Sequence, residues 1–251
     1  MSDYVIPEIK ATEAEMISIR HYLHANQELS LEEFNTSELV ASKLTEWGYQ
    51  VTRGLGKTGV VGSLSKGDSP RTIGLRADMD ALPIEETTGL PWASTAPGKM
   101  HACGHDGHTT ILLAAAKYIA SPACQFNGTV HLIFQQAEEA IGGADLMIKD
   151  GLFEQFPCER IFGLHNMPGL PVGKLGFYAG NFMASADTVK ITITGYGGHG
   201  AHPERTVDPI VAGAALVMAL QSIVARNVPP GETAVVSVGT FQAGIASNVI
   251  P

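Results

Sequence analysis

Metal-capable side chains are concentrated in one short stretch of the sequence, HACGHDGH at 101–108. Cys103 and His105 flank a glycine there, so both side chains can point to one side of a locally extended loop. A thiolate and an imidazole suit zinc, and cobalt, nickel or manganese are also compatible. The alternative is a loop whose histidines cap the next helix. Asp106 and His108 are weaker candidates, since the first could cap that helix and the second could lie in its first turn.

Carboxylate pairs and a further histidine follow other apolar runs. Glu138 and Glu139 come after TVHLIF, and neighbours in an extended chain point to opposite faces, so one could bind metal while the other faces a bound water. Asp78 and Asp80 share one face by the period of two, and such a pair can bind metal or hold a ligating imidazole. His165 ends another run and is a further candidate ligand. The alternative for the carboxylates is a solvated strand end.

The elements that must position these residues alternate between helix and strand. Helical spacing predicts two opening helices, over 11–29 and 35–49, and a third over 108–120. Short β-rich runs predict four strands, at 58–64, 71–78, 128–136 and 160–166. This order indicates an α/β domain with a largely parallel sheet. Ligands bind outside the carboxyl ends of such strands, where the polar clusters stand.

The pattern changes past about residue 184. An alternating strand, DTVKITITGYG, precedes an apolar helix from Pro209 to about Ala225 and a second strand, TAVVSVGTFQAG. We therefore expect two domains, over 1–184 and 185–251, the second being a smaller α+β domain. The ending SNVIP stands in mid-element, which indicates a truncated chain.

Composition excludes several classes of function. The chain has 251 residues and a formal net charge of −9, which argues against nucleic-acid binding. No apolar run approaches the roughly 18 residues of a membrane span, and the start MSDYVIPEIK does not resemble a signal peptide. We expect a cytoplasmic protein with no membrane partner. Three cysteines cannot all pair with one another, which leaves at least one thiol free.

Five motifs in order resemble one family: RADMDALP, MHACGHDGHTT, QQAEE with GGADLMI, GLHN, and GGHGAHPERTVDPI. They are similar to the N-acyl-amino-acid amidohydrolases, a branch of the dinuclear metallopeptidases. The resemblance implies a catalytic α/β domain with two divalent metal ions, and an inserted α+β lid that also forms a homodimer. It implies these metal ligands: Cys103, His105, Glu139 and His165.

The resemblance also implies roles for other residues. Glu138 takes the position of the general base and Asp80 that of a supporting carboxylate, while Asp78 stands where related peptidases have a metal-binding histidine. His199 matches a lid histidine that reaches the partner's active site in the dimer, and Asn248 matches a lid asparagine near the substrate. The departures from the family pattern are these: Gln27, Gln136, His202 and Glu204. His202 is a rival for the role of His199.

The predicted function is metal-dependent hydrolysis of the amide bond in N-acyl amino acids or similar small conjugates. Family members continue past this ending, complete the lid and return with one more metal-binding histidine, so the resemblance implies a site short of one ligand. Two alternatives stay open. One is a carboxypeptidase or dipeptidase on the same scaffold, and the other is a non-catalytic fragment that binds a metal or a partner.

Overall fold

The structure is a computed structural model that describes residues 5–180 and 182–251. The chain divides into two compact units, Met1–Leu175 and Gly176–Pro251, here called the first and the second unit. The first unit contains seven described helices: α1 Pro7–Lys10, α2 Glu13–Ala25, α3 Phe34–Glu46, α4 His105–Ala120, α5 Glu138–Ile141, α6 Gly143–Lys149 and α7 Leu152–Gln155. Its strands are β1 Gln50–Leu55, β2 Gly59–Lys66, β3 Thr72–Asp78, β4 Gly128–Gln135 and β5 Arg160–Gly163.

The sheet of the first unit is mixed, with the strand order β1-β2-β4-β3-β5. β3 pairs in parallel with β4 and β5, whereas β2 pairs antiparallel with β1 and β4. Two of these four pairings are antiparallel, so the prediction of a largely parallel sheet is wrong. β1 was not predicted, and it forms a hairpin with β2 across a tight turn over 56–58 that contains Gly56 at positive φ. Gly54, also at positive φ, lies within β1 at a bulge.

The sheet is covered on both faces. On one face Leu132 and Phe134 of β4 pack with Leu44 of α3 and Leu113 of α4 in the main core cluster. On the other face Ile133 belongs to a smaller cluster formed with these residues: Leu55, Val61, Met147 and Leu152. Because successive side chains of a strand point to opposite faces, β4 supplies both clusters and reads as one continuous apolar run.

The second unit has little regular structure apart from one long helix. Its described elements are β6 Gly198–His199, a 3₁₀ turn over Pro203–Arg205, α8 Pro209–Asn227 and β7 Val249–Ile250. The predicted apolar helix is confirmed as α8. The two predicted long strands are wrong. Apart from one isolated bridge between Tyr196 and Val207, the described residues form no ladder with either segment, and an extended segment is a strand only when a neighbour pairs with it.

Helix α8 bears on the expectation that the chain has no membrane span. Among the described residues it is the one helix whose length and composition would allow it to cross a membrane. A single helix of this kind is weak evidence for a span, since core helices of soluble proteins have the same composition.

Candidate metal centre

The predicted site residues of the first unit meet at the carboxyl ends of three parallel strands, as expected. Asp78 is the last residue of β3, Glu138 stands three residues after β4, and His165 stands two residues after β5. β3 lies between β4 and β5, so the loops that leave the three strands open at the same edge of the sheet. The first turn of α4 brings His105 to this edge.

The stretch 101–108 departs in part from its predicted structure. Helix α4 begins at His105 rather than at 108, and its N-cap is Gly104 in the left-handed conformation, with φ 87°. A Cβ at Gly104 would lie 2.8 Å from Oδ1 of Asn166. Glycine is therefore needed both for the left-handed backbone and for the close approach of Asn166. Asp106 is not the cap. It lies in the first turn, and its Oδ2 is 2.9 Å from Nδ1 of His24.

Cys103, His105 and His165 form one group of possible ligands. Each offers an atom that lies within 4.8 Å of the others, and Cys103 Sγ is 3.4 Å from His165 Nε2. His165 Nδ1 is 2.6 Å from the carbonyl oxygen of Asn166, so this nitrogen must donate. The lone pair of Nε2 is therefore free and faces Cys103, which is the usual state of a histidine that binds metal.

His105 and Glu139 extend the group. Nδ1 of His105 is 3.3 Å from Oδ1 of Asp80, a carboxylate oxygen that can only accept, so Nε2 carries the free lone pair. Nε2 and the Glu139 Oε1 atom are 3.7 Å apart, both are buried, and neither has a hydrogen-bond partner among the described residues. Leaving such groups unsatisfied costs about 1–3 kcal/mol each. A divalent cation between them would satisfy both, so the donor set fits a metal ion.

Glu138 and Glu139 do not continue the strand, which corrects the extended-chain argument for their opposite faces. They begin the short helix α5, directly after Ala137 in the left-handed region. Asp80 accepts the backbone N–H of both glutamates at 3.0 Å, and it also accepts the hydroxyl of Ser30 at 2.7 Å. One buried carboxylate thus contacts His105 and the backbone of both glutamates.

The pKa shifts follow from burial and from the density of acidic groups. Burial, and then the negative charge of Glu139, raise the pKa of the Glu138 carboxyl above its ordinary value. Burial, and then a hydrogen bond with Glu139, raise the pKa of the Cys103 thiol to about 12. A cation that binds Cys103 must therefore displace a proton, and its charge would reverse the effect of the carboxylates.

Asp78 lies beside a second set of possible ligands that includes His108. Its Oδ1 is 2.7 Å from His108 Nδ1, and its Oδ2 accepts from Arg76 at 2.6 Å. Burial raises the pKa of Asp78, but the hydrogen bond with His108 and the charge of Arg76 outweigh it and lower the pKa to about 2. His105 also belongs to this group. His108 was only a weak candidate, although its spacing of three from His105 places both on one helix face.

The predicted residues of the second unit lie near one another. His199 in β6 pairs with Val249 of β7, and the carbonyl of Asn248 accepts the N–H of Gly200 at 2.8 Å. His199 Nδ1 accepts the N–H of Ala201 at 3.0 Å, and its ring centroid is 6.0 Å from that of His202. The second unit therefore holds its own polar cluster, whose members are all exposed: His199, His202, Glu204 and Asn248.

Comparisons with known proteins identify relatives of this chain. The family model described as peptidase family M20/M25/M40 matches residues 74–248. The chain is 55% identical over 247 residues to hippurate hydrolase of Campylobacter jejuni, covering 98% of this chain and 64% of that protein. It is 44% identical to N-acetyl-L-cysteine deacetylase of Bacillus subtilis, covering 97% of this chain and 58% of that protein.

A solved structure shows the same likeness. A dinuclear metal-binding peptidase of the M20 family from Bacillus subtilis matches with a TM-score of 0.68 and 34% identity, over 96% of this chain and 62% of that one. The chain thus spans less than two thirds of the length of these relatives. The predicted family is confirmed: the chain belongs to peptidase family M20/M25/M40.

Proposed function

We propose that this chain carries the metal centre of an enzyme that hydrolyses the amide bond of N-acyl amino acids or similar small conjugates. The observation that carries the proposal is the buried pair His105 Nε2 and Glu139 Oε1, which have no hydrogen-bond partner among the described residues, with Cys103 and His165 grouped around the same His105. Two similar relatives are named for amide hydrolysis, one a hippurate hydrolase and one an N-acetylcysteine deacetylase.

The proposed ligands are Cys103, His105, Glu139 and His165, and they hold two divalent ions. Imidazole, thiolate and carboxylate together suit zinc, manganese, cobalt or nickel. Asp80 orients His105 from behind, as is common for ligating histidines. Asp78 and His108 lie next to this set and hold each other in place.

In the proposed reaction Glu138 acts as the general base. Bound divalent ions supply a polarised amide carbonyl and a water whose pKa is lowered toward neutrality. Glu138 takes a proton from the attacking water and gives it to the amine as the C–N bond breaks.

The second unit supplies the proposed lid, with a catalytic domain over 1–184 and a lid over 185–251. His199 meets the substrate carbonyl or carboxylate, and Asn248 lies near the substrate. Two copies of the chain form a homodimer through their lids, so that His199 of one copy reaches the active site of the other. The enzyme works in the cytoplasm on a small molecule.

The test is a substrate panel combined with metal analysis of the full chain as its gene encodes it. We expect bound divalent metal and preferential hydrolysis of N-acetyl or N-benzoyl amino acids, both lost after chelation and restored by metal. Preference for dipeptides would instead support the carboxypeptidase or dipeptidase alternative. A protein that binds no metal and cleaves none of these amides would contradict the proposed function.

A further inference from the structure

Glu33 is a buried carboxylate that the proposed reaction does not use. It stands directly before α3, its side chain belongs to none of the candidate ligand groups, and it is 0% exposed. Thr58 Oγ1 donates to its Oε2 at 2.6 Å, and the backbone N–H of Ala137 donates to its Oε1 at 2.9 Å. Burying a carboxylate costs free energy unless hydrogen bonds compensate, so a carboxylate kept at this position indicates a specific role.

The partner residue Ala137 has a backbone conformation that is unfavourable for its type. Its φ is 50° and its ψ is 43°, in the left-handed region, where a Cβ meets the backbone and where glycine is the usual residue. Ala137 stands immediately before Glu138 and Glu139. Its φ and ψ therefore decide the direction in which both glutamates leave β4. Such a conformation persists only where the surroundings hold it.

Other contacts restrain the rest of this turn. Asp80 accepts the N–H groups of Glu138 and Glu139, while the N–H of Gly143 donates to the Ala137 carbonyl at 2.9 Å. A Cβ on Gly143 would lie 1.7 Å from the carbonyl oxygen of Gln136, which explains the glycine there. Asp80 also touches His105, whereas the Glu33 carboxylate is hydrogen-bonded to Thr58 and to the Ala137 N–H of the turn.

We propose that Glu33 is a positioning residue that holds Ala137 in its left-handed conformation and thereby aims Glu138 at the substrate and Glu139 at the metal. This inference rests on the proposed function, because it assigns Glu33 a part in that same site. The contact joins residues 104 positions apart in the sequence, so it links the start of α3 to the end of β4.

The first experiment compares Glu33→Ala with the wild type in the full chain. Loss of a residue that supports a ligand from behind typically costs about 10–100-fold in metal affinity or activity. We expect a loss of this size in the affinity for zinc or manganese alone, measured by calorimetry. We also expect kcat for an N-acyl amino acid to fall while KM changes less than about threefold. The reason is that the substitution displaces the Glu138 carboxylate, whereas the contacts that bind the substrate stay largely in place.

Two further variants separate positioning from general stability. Glu33→Gln keeps an acceptor for the Ala137 N–H, because the hydroxyl of Thr58 can turn and accept from the new amide, and it should recover most of the affinity. Ala137→Gly in the Glu33→Ala background should also recover affinity, since glycine adopts positive φ without steric cost. Leu44→Ala is the matched control, because it destabilises the core without touching the turn.

The inference is overturned if Glu33→Ala binds metal as the wild type does, or if Leu44→Ala loses as much affinity and Ala137→Gly restores none. Failure of the proposed function looks different, since the wild type itself would then bind no divalent ion. In that case hydrogen exchange at the Ala137 amide decides. Faster exchange in Glu33→Ala than in Leu44→Ala supports the positioning role, and equal exchange refutes it.

Discussion

Phe134 in the first unit is 0% exposed, whereas Phe177 in the second unit is 90% exposed, and this pair represents a wider difference. Every buried apolar side chain of the described residues lies in the first unit. In the second unit Gly213 is the one buried residue among those described, although α8 is strongly apolar. The first unit is therefore organised around a buried apolar core, whereas the described residues of the second unit include no buried apolar side chain.

The same difference applies to the polar residues of each unit. In the first unit His105 and Asp80 are buried and orient each other, so their geometry is fixed by packing. In the second unit His199 sits in a ladder of two residues and is exposed. Rigid support suits a metal centre, while a loosely held group suits a lid that moves between open and closed states.

The largest effect we expect is on kcat, from a substitution of the proposed general base in the first unit. Glu138→Gln should retain metal and substrate binding but lower kcat by about 10²–10⁴-fold, because a positioned general base contributes that much. Steady-state kinetics with an N-acyl amino acid and metal analysis measure both quantities. Glu139→Gln is the matched control, since it should lose metal instead. Near-normal turnover of Glu138→Gln would remove it from the reaction.

The next prediction tests the difference in packing directly. Phe134→Ala should lower the free energy of unfolding by about 3–5 kcal/mol, because it leaves a cavity between α3, α4 and the sheet. Phe177→Ala should change it by less than about 0.5 kcal/mol, since the ring is already in water. Urea unfolding of both variants measures the two values. Equal losses would mean that the second unit has a core of its own.

A smaller effect is expected on the proposed homodimer. Met218 lies on α8 and is 72% exposed, and Val211, two turns earlier on the same helix face, is 65% exposed. Met218→Glu should raise the dissociation constant of the dimer at least about tenfold, because the charge would be buried without a partner. Sedimentation velocity over a dilution series measures it. Val172→Glu, at a fully exposed residue of the first unit, should have no effect.

A wild-type protein that stays monomeric at every concentration would contradict the dimer proposal. The exposed face of α8 would then need another explanation. Under the proposal, the surface that distinguishes the second unit from the first is covered by a second copy of the same unit.

The smallest effect concerns pH and a buried histidine of the first unit. His131 lies in β4 beside Ser63, whose Oγ is 2.7 Å from Nδ1, and burial lowers its pKa. The unfolded chain then takes up a proton before the folded one, so the free energy of unfolding falls as pH drops below about 6.5. One group can contribute at most about 1.4 kcal/mol per pH unit.

His131→Gln should remove this contribution, so its stability relative to the wild type should rise as the pH is lowered from 7 to 5. Denaturant unfolding at several pH values measures the difference. Thr129→Val, a neighbouring change in β4 without a titrating group, should give a difference that does not vary with pH. A constant difference for His131→Gln as well would mean that the histidine titrates as it does in water.

Sequence patterns predicted most of the sheet and the place of the site. The runs that became β2, β3, β4 and β5 are apolar, and polar residues follow three of them at one edge. β1 was missed because it is short and half polar, and a partly parallel sheet was predicted as largely parallel. Strand direction depends on which segments pair, and hydrophobic periodicity carries no information about pairing.

What the sequence by itself determined is the set of chemically capable residues and their order, since Glu139 and His165 follow strands that the apolar pattern predicts, and Cys103 and His105 stand where α4 begins. Only the tertiary structure decided how they are held. The left-handed turn at Ala137, its contact with Glu33, and the pairing of His108 with Asp78 join residues that are 30 or 104 positions apart. Local propensity would not choose positive φ for alanine, so long-range hydrogen bonds in the folded chain must impose it.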